Sequence, residues 1–260
     1  MPSARSIAIT GASGGLGRAL ALSYAAPGVT LHLLGRSETR LVETAALARQ
    51  RGAETRTAAL DVRDSSAMAA FLREGDARAA IDCLIGNAGV TWGSRPDGEL
   101  EDFAGIRGVM EINFGGALNS FLPLIDSMLR RGRGQIGLVS SIAAFAPQAD
   151  CAGYAASKAA LLALALSLRA ALSPHGLRVN AICPGFVDTP MAARYIGWKP
   201  SMVSAEYAAQ LIQRGLARDK AIIAFPRGLY LAARLQQILP ESLRRVGMDR
   251  FRFHVRPETE

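Results

Sequence analysis

Short runs of β-branched and aliphatic residues alternate along this chain with longer stretches rich in alanine and leucine. The short runs cover 6–10, 29–34, 54–59, 81–85, 135–140, 178–182 and 221–225, and each has the length of a strand. Between them, 15–26, 37–51, 65–73, 102–130, 153–172 and 205–216 carry the spacing of helices. Strand followed by helix, repeated in this way, builds a parallel sheet covered on both faces. The pattern therefore predicts an α/β fold whose seven strands form a doubly wound parallel sheet. The stretch 91–99, with Gly93, Pro96 and Gly98, reads as a loop. No internal repeat, flexible linker or low-complexity tract divides the chain, so one domain over 1–260 is expected.

The first strand runs into Thr10-Gly11-Ala12-Ser13-Gly14-Gly15-Leu16-Gly17, which opens the first helix. A glycine-rich turn at that junction lets backbone amides approach a pyrophosphate, and the helix N-terminus adds partial positive charge. Glycines alone mark any tight turn; their place at the first strand-to-helix junction gives them weight.

The glycines at 11, 15 and 17 follow a TGxxxGxG spacing, and with it the sequence resembles the classical short-chain dehydrogenase/reductase family. The resemblance covers nearly the whole chain, because further motifs occur in order at Asp61, Asn87, Asn113, Ser141, Tyr154, Lys158 and Pro184. It implies a Rossmann-type fold with Gly11, Ser13, Gly15, Leu16 and Gly17 on a nicotinamide dinucleotide. In such folds an acidic residue ending the second strand binds the ribose 2′-hydroxyl and repels a 2′-phosphate. Here Gly35 stands there, followed by Arg36, so NADP(H) is expected in preference to NAD(H), with Arg40 assisting. Gly14 occupies the place of a basic residue that many NADP-dependent relatives carry, which leaves Arg36 to bear that preference. The resemblance also implies that Asp61 and Val62 flank the adenine and that Asn87-Ala88-Gly89 is the family's NAG motif. The loop Pro184-Gly185-Phe186-Val187-Asp188-Thr189 would meet the nicotinamide through the Val187 backbone and Thr189.

Tyr154 and Lys158 stand four residues apart on a predicted helix and so share a face. A phenol with a pKa near ~10 is a poor base at neutral pH. A cation about 4 Å away, at an effective dielectric of ~20, favours the phenolate by roughly 4 kcal/mol, enough to lower its pKa by up to about three units. Ser141 follows the fifth strand and Asn113 lies in the long helix before it. Singly, these four residues would be a helix pair, a strand-end cap and a buried amide; in this order they form a specific set. By resemblance, Tyr154 gives a proton to a carbonyl oxygen while the cofactor gives hydride to the carbon. Ser141 would hydrogen-bond that oxygen, Lys158 would tune the phenol and bind the ribose, and Asn113 would hold a water that relays protons to solvent. The alternative is a dinucleotide-binding sensor or scaffold without turnover, which would not need the proton-transfer groups.

Composition narrows the remaining choices. The formal net charge of +8 comes from scattered arginines, with no run long enough for a nucleic-acid arm. That charge suits attraction of phosphate-bearing ligands. Cys83, Cys151 and Cys183 show no metal spacing, and no metal is expected; Cys151 is read as packing or pocket lining. His32, His175 and His254 are scattered and lack hydrolase partners. The N-terminus lacks signal-peptide features, and the apolar stretch 159–168 is half of the ~20 residues a span needs, so a cytoplasmic protein without a membrane span is expected. Residues 191–203, with Tyr195, Ile196 and Trp198, are expected to form a substrate lid, which suggests a partly apolar carbonyl or alcohol. Beyond it, the C-terminal segment 226–260 carries Leu231, Leu235, Ile238 and Leu239 at helical spacing. They would pack on the body or a sister subunit or, as the alternative, touch a membrane. The resemblance implies association through the helices at 102–130 and 153–172, whose apolar content exceeds one core stripe, and a homodimer or homotetramer is expected.

Overall fold

The computed structural model describes residues 4–95, 99, 101–240, 242–244 and 253–256. Seven parallel strands form the main sheet: β1 (Ser6–Thr10), β2 (Thr30–Gly35), β3 (Glu54–Ala59), β4 (Cys83–Gly86), β5 (Gly134–Val139), β6 (Leu177–Pro184) and β7 (Ile222–Phe225). Their order is β7-β6-β5-β4-β1-β2-β3. In β1, Ile7 and Ile9 point to one face and Ala8 to the other, and all three are fully buried. A run apolar at every position, without alternation, is what covering both faces requires. The expected doubly wound, Rossmann-type sheet is what the chain forms.

One face is covered by α1 (Gly15–Tyr24), α2 (Glu38–Gln50) and a later helix, 205–217, through Leu20, Ala45, Ile212 and Leu216. The opposite face packs on α3 (Ser65–Arg78) through Met68 and Leu72, and on the stretch 103–172 through Phe121, Leu124 and Ala165. Each fully buried leucine or isoleucine contributes about 1.5–3 kcal/mol by leaving water. Edge strand β3 is largely accessible and carries Glu54 and Arg56, charges that discourage pairing with another chain.

The helix expected over 102–130 is divided. It runs as α4 (Phe103–Met110), a π turn (Glu111–Gly115) and α5 (Gly116–Arg131), and the wide turn contains Asn113. The wide turn is confined to five residues inside a long helical stretch, too short for a pattern read over the whole stretch to resolve. Next come α6 (Ala152–Leu172), the short α7 (Pro190–Ala193), α8 (Ala205–Ala217) and α9 (Arg227–Ile238).

The structure bears on three further expectations. The helical stretch 149–175 is long and apolar enough, by length and composition, to cross a membrane, with a mean hydropathy of 1.5 in its most apolar window. The shorter count missed it because alanines extend the stretch on both sides of the leucine run. Gly153, Ala155, Lys158, Leu161 and Ala165 on this same helix are buried in the fold. In α9 the body is met by Leu229, Tyr230 and Ala233, whereas Leu231, Leu235 and Ile238 are exposed. The packing face of that helix is rotated from the one its leucines suggested. Within the loop at 91–99, the described residues are irregular but tied down: the Ser94 amide donates to the Asp150 carbonyl and its own carbonyl accepts from the Val255 amide, both at 2.9 Å. Pro96 and Gly98 lie outside the described residues.

Candidate active site

Strand order reverses between β1 and β4, and the crevice beyond their carboxyl ends is where such sheets receive ligands. A cleft of about 430 Å³ lies there. It extends from Arg36 and Arg40, after β2, to Gln236 on α9, at the opposite side of the sheet.

Gly11 and Gly15 have left-handed φ values of +69° and +51°. A side chain on Gly17 would run into the Gly11 carbonyl oxygen and come within 2.7 Å of Asn87 Nδ2. One on Gly11 would come within 2.9 Å of that nitrogen. Backbone alone therefore fits between the turn and the loop after β4, beside the amides that begin α1. Gly14, by contrast, has nothing within 4 Å, so a larger residue would fit there. The loop after β4 is fastened to the turn through Thr10: its Oγ1 accepts from the Asn87 and Ala88 amides at 3.0 Å, and its carbonyl accepts from Asn87 Nδ2 at 2.9 Å. Ser13, Leu16 and Gly89 line the same cleft. This glycine cradle at a helix N-terminus fits a dinucleotide pyrophosphate.

Gly35 places no side chain, and so no carboxylate, at the end of β2; a Cβ there would stand 3.0 Å from Ser13 Oγ. Arg36 and Arg40, both exposed, line the cleft beside it. Asp61 also lines it, but its carboxylate is gripped by Arg63 through Nη2 at 2.7 Å and Nε at 3.1 Å. Those bonds, with Arg36 adding to them, hold Asp61 below the usual carboxylate range. Val62 lines the cleft with its carbonyl accepting from Asn119 Nδ2 at 2.9 Å.

Ser141, Tyr154 and Lys158 meet in the middle of the cleft, on the segment after β5 and the first turns of α6. Ser141 Oγ accepts from the Ala143 amide at 3.1 Å and donates to the Pro184 carbonyl at 3.4 Å. Lys158 Nζ donates to the Val139 carbonyl at 2.8 Å and sits 5.5 Å from the centre of the Tyr154 ring. The expected lowering of the Tyr154 pKa is not present. Burial pushes the phenol up to about 12, opposed by a hydrogen bond with Ser141, and burial pushes Lys158 down to about 8. Desolvation wins because the ammonium lies over the ring and is itself taken from water.

Asn113 is fully buried but does not line the cleft. Its Oδ1 accepts from the Val90 amide at 2.7 Å, and its Nδ2 donates to the Val90 carbonyl at 3.0 Å and to Ser157 Oγ at 2.9 Å. The side chain is thus occupied in joining the loop after β4 to α6, rather than turned to the cleft. Gly89 sits between the two: a Cβ there would lie 3.0 Å from Asn113 Oδ1 and 3.4 Å from Lys158 Nζ.

The loop after β6 brings Pro184, Gly185, Val187 and Thr189 to the cleft. The Gly185 amide donates to the Phe225 carbonyl at 2.7 Å, and Val187 pairs with Val203. Thr189 caps α7 by accepting from the Ala192 amide at 3.3 Å and packs 3.3 Å from where a Gly15 Cβ would be.

Of the lid residues, Tyr195 lines the cleft, whereas Trp198 is 66 % exposed and lies outside it, as does Ile196. The segment folds back as a strand, Tyr195–Ile196, against the C-terminal strand His254–Val255, which turns Tyr195 inward and leaves Trp198 beyond the pairing. Phe253, Asp150 and the α9 stripe of Leu229, Ala232, Ala233 and Gln236 escaped the sequence reading. The stripe has helical spacing that could have revealed it. Cys151 lines the pocket, and burial pushes its thiol up to about 12, the character of an inert lining residue. No cluster of candidate metal ligands exists among the described residues.

Residues 5–199 match the family model described as short chain dehydrogenase. An uncharacterized oxidoreductase of Myxococcus xanthus is 34% identical over 240 residues, covering 92% of this chain and 94% of that one. Among solved structures, a short-chain dehydrogenase from Mycobacterium paratuberculosis bound to NAD superposes with a TM-score of 0.75 at 28% identity, covering 85% of this chain and 95% of the other. One from Sphingobium yanoikuyae in complex with NADPH gives 0.76 at 27% identity, covering 95% and 96%. The chain belongs to the short-chain dehydrogenase family, a family of oxidoreductases that use a nicotinamide dinucleotide.

Proposed function

From that membership, we propose that the chain is an NADP(H)-dependent carbonyl reductase in which Tyr154 is the proton donor. The observation that carries this reading is the convergence of Ser141, Tyr154 and Lys158 in one cleft with the glycine cradle. When bound, the reduced nicotinamide supplies a hydride.

The chain's own residues account for the remainder. Gly11, Gly15 and Gly17 admit the pyrophosphate to the amides of α1. Arg36 and Arg40 meet a 2′-phosphate with charge-assisted hydrogen bonds, and Gly35 leaves no carboxylate beside it. Val187 and Thr189 position the nicotinamide end. Ser141 donates to the substrate oxygen and stabilises the charge that develops on it. Burial raises the Tyr154 pKa to about 12, so the phenol carries its proton at neutral pH and can donate it to the substrate oxygen. Lys158 then compensates the phenolate as it forms and hydrogen-bonds the nicotinamide ribose.

The test is NADPH oxidation, followed by absorbance, against a panel of uncharged ketones and aldehydes with the native chain and Tyr154→Phe. The expected result is turnover of at least one carbonyl that falls about 100-fold to 10,000-fold in the variant. NADPH affinity should change little. Equal rates in both proteins would refute the role of Tyr154.

A further inference from the structure

Given the reading above, the part of the cleft beyond Tyr154 contains information about the substrate. Phe186, Tyr195 and Phe253 form a row of rings: Phe186 and Tyr195 meet edge-on at 5.8 Å, and Tyr195 and Phe253 lie 5.0 Å apart, tilted by 58°. All three line the cleft, and Tyr154 packs with Tyr195, Phe253 and Cys151 in one apolar cluster. The Tyr195 hydroxyl shares a 2.6 Å hydrogen bond with buried Thr91, so the ring presents an apolar surface with its polar end already engaged.

Of the other lining residues, Ala143, Ala146, Leu229 and Ala232 are small or aliphatic, and Gln148 and Gln236 are uncharged amides. The charged side chains among the described lining residues are Arg36, Arg40, Asp61 and Lys158. The first three stand at the β2 and β3 end and the last belongs to the catalytic set. Nothing there would offset the desolvation of a charged substrate group.

Phe253 reaches this wall from the chain's last described segment because Asp150, only 2 % exposed, pins it there. One Asp150 carboxylate oxygen accepts from the Phe253 amide at 3.1 Å and the other from Ser94 Oγ at 3.2 Å. Pairing of His254–Val255 with Tyr195–Ile196 completes the attachment.

We propose that this row of rings is the specificity wall for an uncharged ketone whose carbonyl adjoins a flat aromatic or fused-ring group, and that the C-terminal segment supplies its outer member, Phe253. A flat ring packs face-on against one of these rings and edge-on against its neighbour while its carbonyl oxygen meets Tyr154 and Ser141. An alkyl chain gains burial there but no ring-to-ring term.

The probes are 2-acetylnaphthalene and 2-octanone, with NADPH and the native chain, Phe253→Ala, Phe253→Leu and Phe253→Tyr. The native chain should prefer the naphthyl ketone. The ratio of the two kcat/KM values should fall about fivefold to tenfold in Phe253→Ala, mainly through KM, and recover in Phe253→Tyr. Phe253→Leu keeps most of the volume and should still lower the ratio, which covers the case of a poorly folded alanine variant. Saturation-transfer NMR should show naphthyl protons receiving magnetisation from the native chain, and less from Phe253→Ala. An unchanged ratio in the alanine and leucine variants, or a native preference for 2-octanone, would overturn the proposal. Turnover of neither ketone by a chain that binds NADPH overturns this substrate class alone; failure to bind any dinucleotide overturns the function it rests on as well.

Discussion

His32 shows how one buried residue couples this fold to pH. It is 1 % exposed inside β2, with Nε2 3.1 Å from Ser6 Oγ and a Cβ on Gly75 excluded by its ring. Burial, assisted by Arg56 and opposed by Asp76, lowers its pKa to about 4. The folded chain therefore holds fewer protons than the unfolded chain between the ordinary histidine value and about 4. Stability is complete above that window and is lost as pH falls through it. The loss amounts to about 3 kcal/mol, at about 1.36 kcal/mol per pKa unit. Urea unfolding of the native chain and His32→Leu at a series of acidic pH values should give curves that diverge by about that amount. Parallel curves would mean that His32 titrates normally in the fold.

At the scale of elements, α6 carries both Tyr154 and Lys158, yet Cys151 at its start provides no side-chain cap. The cap comes from outside the helix: Glu101 Oε2 accepts from the Gly153 amide at 2.9 Å. Burial raises the Glu101 pKa while the Gly153 and Ala152 amides act against that rise, as expected for a carboxylate at a helix N-terminus. Removing it as Glu101→Ala should lower the melting temperature by about 2–4 °C, the effect of losing about 1 kcal/mol in a chain of this size. Glu101→Gln, which keeps an acceptor, should lose less; equal losses would show that the cap does not matter. This contact also marks the limit of what could be read from the residues. The glycines of the turn and the Tyr154/Lys158 pair were legible because their chemistry lies in spacings shorter than one helical turn or one loop. The inner strands were legible because burial on both faces makes them nearly continuously apolar. Glu101 capping Gly153, or Asp150 holding Phe253, joins segments 52 and 103 residues apart, and no local period records such a pairing. The π turn at Asn113 was hidden because it occupies only five residues within a long helical stretch.

For the molecule as a whole, the exposed apolar residues are informative. Phe103 on α4, Leu122 on α5 and Leu166 on α6 are 92 %, 55 % and 38 % exposed, on the helices whose apolar content exceeded one core stripe. We propose that these helices join a second copy of the chain. Light scattering at micromolar concentration should report a dimer or tetramer, and Phe103→Ser with Leu122→Ser should shift it toward monomer. A native monomer would refute the interface. The charge of +8 and the arginines after β2 favour a phosphate-rich ligand over the uncharged surface of the far pocket. These features converge on the cofactor, and the most direct measurement is a nicotinamide-fluorescence titration of the native chain and Arg36→Ala with NADPH and NADH. The account predicts tighter binding of NADPH to the native chain, with Arg36→Ala weakening NADPH by about tenfold or more and leaving NADH nearly unchanged. Equal affinity for both dinucleotides in the native chain would contradict the NADP(H) preference, and binding of neither would contradict the oxidoreductase itself.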